Sequence, residues 1–209
     1  MGESAAGNLP IYLLVEGNLD RLVAQCLLKE VGLEYGTTYP RGGWNALEKK
    51  FTSFNKTAQG MPVLALLDFM EPKSLYNAPC PGDLVEKLVP LRHPNFLLRI
   101  VVREIESWLL ADRERLSDFL SIQPNHIPSA PELENDPKQT LVKLASTSRR
   151  KEIRTDLVPQ KGTSASQGPG YNSRMAEFVI NQWRPREAAK RAPSLSRCLT
   201  ALRRWKLES

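Results

Sequence analysis

The chain has little of what makes redox or zinc chemistry readable from a sequence. Of its 209 residues only three are cysteine and two histidine. Cys26, Cys80 and Cys198 stand far apart with no CxxC, so neither a zinc knuckle nor a dithiol redox motif is written here, and the thiols suit a reducing cytoplasm. His93 and His126 sit in "RHPN" and "NHIP", loop-like settings without a partner for nucleophilic catalysis. No apolar run approaches the roughly 20 residues of a membrane span. The opening "MGESAAGNLP" lacks the basic flank of a signal peptide. The expectation is a cytoplasmic chain with no membrane contact. No GxxxxGK[ST] occurs, so nucleotide hydrolysis by a P-loop is not spelled out. Hydrophobic residues at 41% and charged ones at 25% exclude a disordered, collagen-like or coiled-coil chain.

What is present is charge, unevenly placed. The formal net charge is +6 and the pI about 9.3. Residues 1–148 carry 15 basic and 18 acidic side chains, net −3, whereas residues 149–209 carry 14 and 5, net +9. A basic tail of this kind favours a polyanion, nucleic acid first, as its partner.

The apolar pattern predicts an α/β fold. "IYLLV" at 11–15, "PVLALL" at 62–67 and "FLLRIVV" at 96–102 read as short, fully buried strands. Between them the spacing turns helical: Leu22, Val23, Cys26, Leu27 and Val31, then Trp44, Leu47, Phe51 and Phe54, then residues 83–91. Strands alternating with helices imply a mainly parallel, Rossmann-like sheet flanked by helices. After Ile105, Trp108 and Leu109 only helices are expected: one to Leu120, one begun by Asp136 as cap and Pro137 in the first turn, and two basic ones over 173–183 and from Ser194. Residues 159–172, rich in Gly, Ser and Pro, read as a mobile loop. The domain reading is a flexible start over 1–9, an α/β domain over 10–122 and a basic helical extension over 123–209 packed on the same core.

Each strand empties into an acid. Glu16 follows the first, Asp68 the second, and Glu104 and Glu106 the third. Ligands of open parallel sheets bind outside the carboxyl ends of the strands, so these acids are expected to converge there. Like charges held together need a cation or a proton, and oxygen-only ligands favour Mg²⁺ or Mn²⁺. Asp20, one helical turn beyond Glu16, could reach toward the same edge, though a residue so placed is more often a surface charge.

"VEGNLD", "LLDFME" and above all "VVREIESWLLAD" resemble the TOPRIM-like proteins grouped as domain-of-unknown-function family 4276. "DPKQTL" and "PSLSRCLTALRRW" are similar to that family as well, so the resemblance runs from about Ile11 to Trp205. It implies a TOPRIM-like fold and a Mg²⁺- or Mn²⁺-dependent nuclease of DNA or RNA, transfer RNA included. Asp68 and Glu106 would be metal ligands, and Glu16 a ligand or general base. The sequence departs from the TOPRIM Asp-x-Asp at Met70, a thioether that cannot replace a hard oxygen ligand. Either Glu71 enters, or Glu104 and Glu106 complete the set, or the site is catalytically silent.

The resemblance also implies a role in bacterial phage defence beside an ATPase of the ATP-binding-cassette type, which would supply nucleotide hydrolysis; an oligomer is compatible with it. For the nucleic acid the expected contacts are Lys161 in the loop, Arg149, Arg150 and Lys151, and the cluster of Arg186, Lys190, Arg191, Arg203 and Arg204. The competing reading is a non-catalytic subunit that binds nucleic acid or the ATPase.

Overall fold

A computed structural model describes residues 9–39, 48–69 and 76–208. Four strands, β1 (Ile11–Leu14), β2 (Tyr35–Tyr39), β3 (Val63–Asp68) and β4 (Phe96–Val101), form a parallel sheet in the order β2-β1-β3-β4. Three of these are the expected apolar runs; β2 is not. "YGTTY" has no apolar run to betray it: Tyr35, Thr37 and Tyr39 are exposed while Gly36 and Thr38 are half-buried. As an edge strand it is held by backbone pairing to β1, with Tyr39 packed on Tyr12 and Phe54 at ring separations of 5.9 and 5.2 Å.

The pleat divides the core. On β3, Leu64 and Leu66 face one way and Val63, Ala65 and Leu67 the other, the period of 2 that a strand imposes. The odd-numbered face packs on α2 (Phe51–Thr57) and α3 (Pro81–Leu88) through Phe51, Phe54 and Leu84. Trp44 and Leu47, expected on the helix before Phe51, lie outside the described residues.

The other face meets α1 (Asn18–Val31), α4 (Ile105–Ala111), α5 (Arg113–Leu120) and every helix that follows. Those are α6 (Pro137–Ser146), α7 (Lys151–Leu157), α8 (Tyr171–Asn181), the single turn α9 (Pro185–Ala188) and α10 (Pro193–Glu208). One apolar cluster therefore runs from Ile11 to Trp205. Helices α7 and α9 were not expected; each is too short for periodicity to announce it. Trp183 and Trp205 are core residues, 5% and 7% exposed, and the Trp183 indole donates to Trp108 O. No helix among the described residues is long and apolar enough to cross a membrane.

Caps fix the ends that matter. Asp136 caps α6, its Oδ1 accepting from Gln139 N at 2.8 Å, with Pro137 in the first turn as expected. Ser194, expected as a cap, lies inside the first turn of α10, and Glu132 Oε1 takes its backbone N–H at 2.8 Å instead. The Ser194 hydroxyl accepts from the Trp108 indole at 2.7 Å and donates to Glu132 at 2.6 Å, locking α10 to α4.

Helix α1 ends at Gly32 in the left-handed region, φ 71°, where the Lys206 ammonium bonds Val31 O at 3.0 Å. A Cβ at Gly32 would be strained and would meet that ammonium. Gly32→Ala is expected to cost about 1 kcal/mol and lower the melting temperature by roughly 2–4 °C. Calorimetry checks this, and no change would show that the Lys206 cap does not hold the helix end.

Candidate functional site

Strands β1, β3 and β4 are adjacent and parallel, so their carboxyl ends open on one edge. Asp68 is the last residue of β3, and alternation puts it on the Leu64–Leu66 face, toward α1, α4, α6 and α8. Its Oδ1 is shut off from solvent and has no hydrogen-bond partner. Burial first, and then the charges of Asp20, Glu106, Glu16 and Glu104, hold the Asp68 carboxyl well above its ordinary value of 3.8. The acids that follow three different strands thus act on one another at one place, and Asp20 joins them from the first turn of α1. Burial, with the Glu106 charge, also raises the Asp20 carboxyl against the pull of local backbone hydrogen bonds.

Glu106 and Glu104 are held by the same residue. Glu106 is 2% exposed; its Oε1 lies 3.3 Å from the Lys138 ammonium and accepts from the Tyr171 hydroxyl at 3.1 Å. Glu104 Oε1 accepts from the Lys138 backbone N–H at 2.6 Å. Burial and the Glu106 charge push the Glu104 carboxyl up to about 7. Burial opposes the charge on Lys138, but Glu106, Glu104 and Asp68 outweigh it and keep the ammonium above its ordinary value. The Tyr171 hydroxyl is held well above its usual range by burial and by Glu106, so it stays a donor.

Of the acids expected here, Glu16, Asp68, Glu104 and Glu106 are brought together, whereas Glu71 and Met70 lie outside the described residues. Among the described residues no three His, Cys, Asp or Glu side chains are spaced to close on one metal ion. Sequence reasoning missed Lys138 and Tyr171. A signal for Lys138 existed: with Asp136 capping, it falls in the first turn of α6, where the helix dipole disfavours a cation. A lysine placed there answers a negative charge from elsewhere in the fold.

The basic residues divide into engaged and free. Arg150 pairs with Glu152, Arg186 with Glu30, Lys190 with Glu187 and Arg191 with Glu114. Arg184, immediately before α9, pairs at 2.5 Å with the fully buried Asp112. Three acids of the first half, Glu30, Asp112 and Glu114, therefore neutralise tail cations across the fold. Arg149, Lys151, Lys161 and Arg203 are exposed with no acid partner among the described residues; Arg204 is exposed but engaged.

The arrangement defines a parallel α/β protein with a half-buried acidic cluster at the carboxyl edge of its sheet. Comparison with known proteins finds no matching family model, no matching curated protein and no matching solved structure.

Proposed function

We propose that the carboxyl edge of the sheet holds a divalent cation, Mg²⁺ or Mn²⁺, and hydrolyses phosphodiesters in nucleic acid, as in the TOPRIM-like nucleases the sequence resembles. The observation that carries this reading is Asp68 Oδ1, a buried and unpartnered carboxylate oxygen among four other carboxylates. A buried anion without a partner is costly, and a proton or a cation is the remedy. The donor set is all carboxylate, which matches a hard ion. Mg²⁺ usually takes one or two protein carboxylates and fills its shell with water and substrate phosphate. Asp68 with Glu16 or Asp20 meets that need without a tighter cage, and Glu71 is not required for it.

When bound, such an ion polarises a phosphoryl oxygen and lowers the pKa of water. The chain's own residues do the rest. Tyr171 and Lys138 fix Glu106, which is too well held to swing, and so set the inner wall of the site. Glu104, with a carboxyl near 7, can take up or release a proton at neutral pH. The half-exposed Lys138 ammonium is a cation on this face able to meet a phosphate oxygen. Nucleotide hydrolysis, where it is coupled, would come from a partner ATPase.

The test is cleavage of labelled DNA and RNA by the purified chain with Mg²⁺ or Mn²⁺, with EDTA and a Glu16→Ala/Asp68→Ala chain as controls. Metal-dependent cleavage that the double variant lacks is expected. If the native chain cleaves nothing yet its melting temperature rises with Mn²⁺, the site binds metal and is silent; if neither occurs, the reading is wrong.

A further inference from the structure

A cleft of about 280 Å³ opens between α9 and α10, lined by Arg186, Ala189, Lys190, Ser196, Leu199 and Arg203 and by none of the clustered acids of the sheet edge. Three cations and a hydroxyl face it, and no carboxylate belongs to its lining. Arg203 has no acid partner among the described residues, while Arg186 and Lys190 are tied to Glu30 and Glu187 from outside the cleft. Ion pairs this exposed are worth about 0–1 kcal/mol, so an incoming phosphate can compete for both cations. Lys and Arg with open donors around a cleft of this size suit a phosphodiester group.

The fold also sets how far this cleft stands from the acidic site. Helix α1 spans the two: Asp20 in its first turn acts on Asp68, and Glu30, ten residues on, holds Arg186. At 1.5 Å per residue the two ends lie about 15 Å apart. Helix α10 runs the same way, from Ser194, whose hydroxyl accepts from Val102 N–H beside β4, to Lys206 at the far end of α1. We propose that this cleft is a phosphate subsite for the backbone of the same nucleic acid whose reacting phosphate sits at Asp68, about four base-pair steps of roughly 3.4 Å away. The inference rests on the nuclease reading for its second anchor. The cleft makes backbone contact alone, so it adds affinity and salt dependence without sequence preference.

The experiment uses the full chain and a Lys190→Glu/Arg203→Glu variant, with Lys190→Gln/Arg203→Gln as the milder pair. Binding to labelled duplexes of about twelve base pairs, in DNA and RNA forms, is followed by fluorescence anisotropy in EDTA across a salt series. The charge-reversed variant is expected to bind about tenfold more weakly and to lose about two from the slope of log K against log salt; the Gln pair shows the same slope change with a smaller loss of affinity. Loss with only one duplex form names the nucleic acid. Cleavage of bis(4-nitrophenyl) phosphate, too small to reach the cleft, and the Mn²⁺-induced rise in melting temperature should stay as in the native chain. Unchanged duplex affinity and slope in both variants would overturn the subsite. Binding in EDTA needs no metal, so a native chain without metal-dependent activity would defeat the nuclease reading and leave this measurement standing.

Discussion

Asp68→Asn is expected to raise the melting temperature of the metal-free chain by about 5 °C while removing the proposed response to Mg²⁺ and Mn²⁺ and the proposed nuclease activity. The two halves of that result have one cause. Asp68 Oδ1 is buried without a partner, and burial together with the charges of Asp20, Glu106, Glu16 and Glu104 opposes its ionisation. A neutral amide of the same shape relieves the repulsion. Holding a charge in an unfavourable site costs about 1.4 kcal/mol for each tenfold bias against it, and for a chain of this length each kcal/mol moves the midpoint by roughly 2–4 °C. Stability withheld at a functional site is a common trade.

The amide also removes the negative charge and one of the two carboxylate oxygens, so a divalent ion loses its anchor. Cleavage should fall by at least about 10²-fold, the scale set by deleting one preorganised electrostatic contact. Thermal shift in EDTA and in Mn²⁺, beside a cleavage assay, reads all three. A variant that gains stability yet still responds to Mn²⁺ would place the ion elsewhere. One that loses stability would mean that Asp68 is already satisfied as a carboxylate.

The parallel sheet was legible because three of its strands are apolar on both faces, and runs such as "PVLALL" have no other easy explanation. The convergence of Glu16, Asp68, Glu104 and Glu106 followed from direction alone: parallel strands end on one edge whatever their order. Edge strand β2 escaped notice because its pairing is a backbone matter and its tyrosines face out. Lys138 and Tyr171 escaped for a different reason. They come to the site from helices that the sequence assigns to the basic extension, and only packing shows that α6 and α8 cover the same face of the sheet as α1. The charge split misled in the same way. Arg184, Arg186 and Arg191 count toward the tail, yet Asp112, Glu30 and Glu114 neutralise them across the fold. What is left to meet a polyanion is narrower than the net charge implies, which is why Arg203 carries more of the argument than the sum does.

Lys138→Met should destabilise the metal-free chain by about 2–3 kcal/mol at pH 8 and by much less at pH 5, with Mn²⁺ restoring most of the loss. The ammonium neutralises the buried Glu106 directly, whereas the Lys138 backbone N–H that holds Glu104 stays in the variant. Removing one partner of a buried pair strands the other charge, a cost of about 3–5 kcal/mol in full burial, taken lower here because Lys138 is 36% exposed. The sign with pH follows from the raised carboxyls. Glu104 titrates near 7 in the fold against an ordinary 4.5, and Asp68 is raised well above 3.8. Between the ordinary and the raised values the folded chain binds more protons than the unfolded one, so stability is present at acid pH and is lost as pH rises through about 7. The native chain should show this decline, with Lys138 already limiting it. The Met variant should show it steeply, and Glu104→Gln, which keeps an acceptor for the Lys138 N–H, should flatten it. Denaturation midpoints from pH 4.5 to 8, with and without Mn²⁺, make the comparison. A Met variant equally destabilised at both ends of that range would mean that Lys138 serves the fold through packing. Rescue by Mn²⁺ that grows with pH would mean that proton, lysine and metal compete for the same carboxylates.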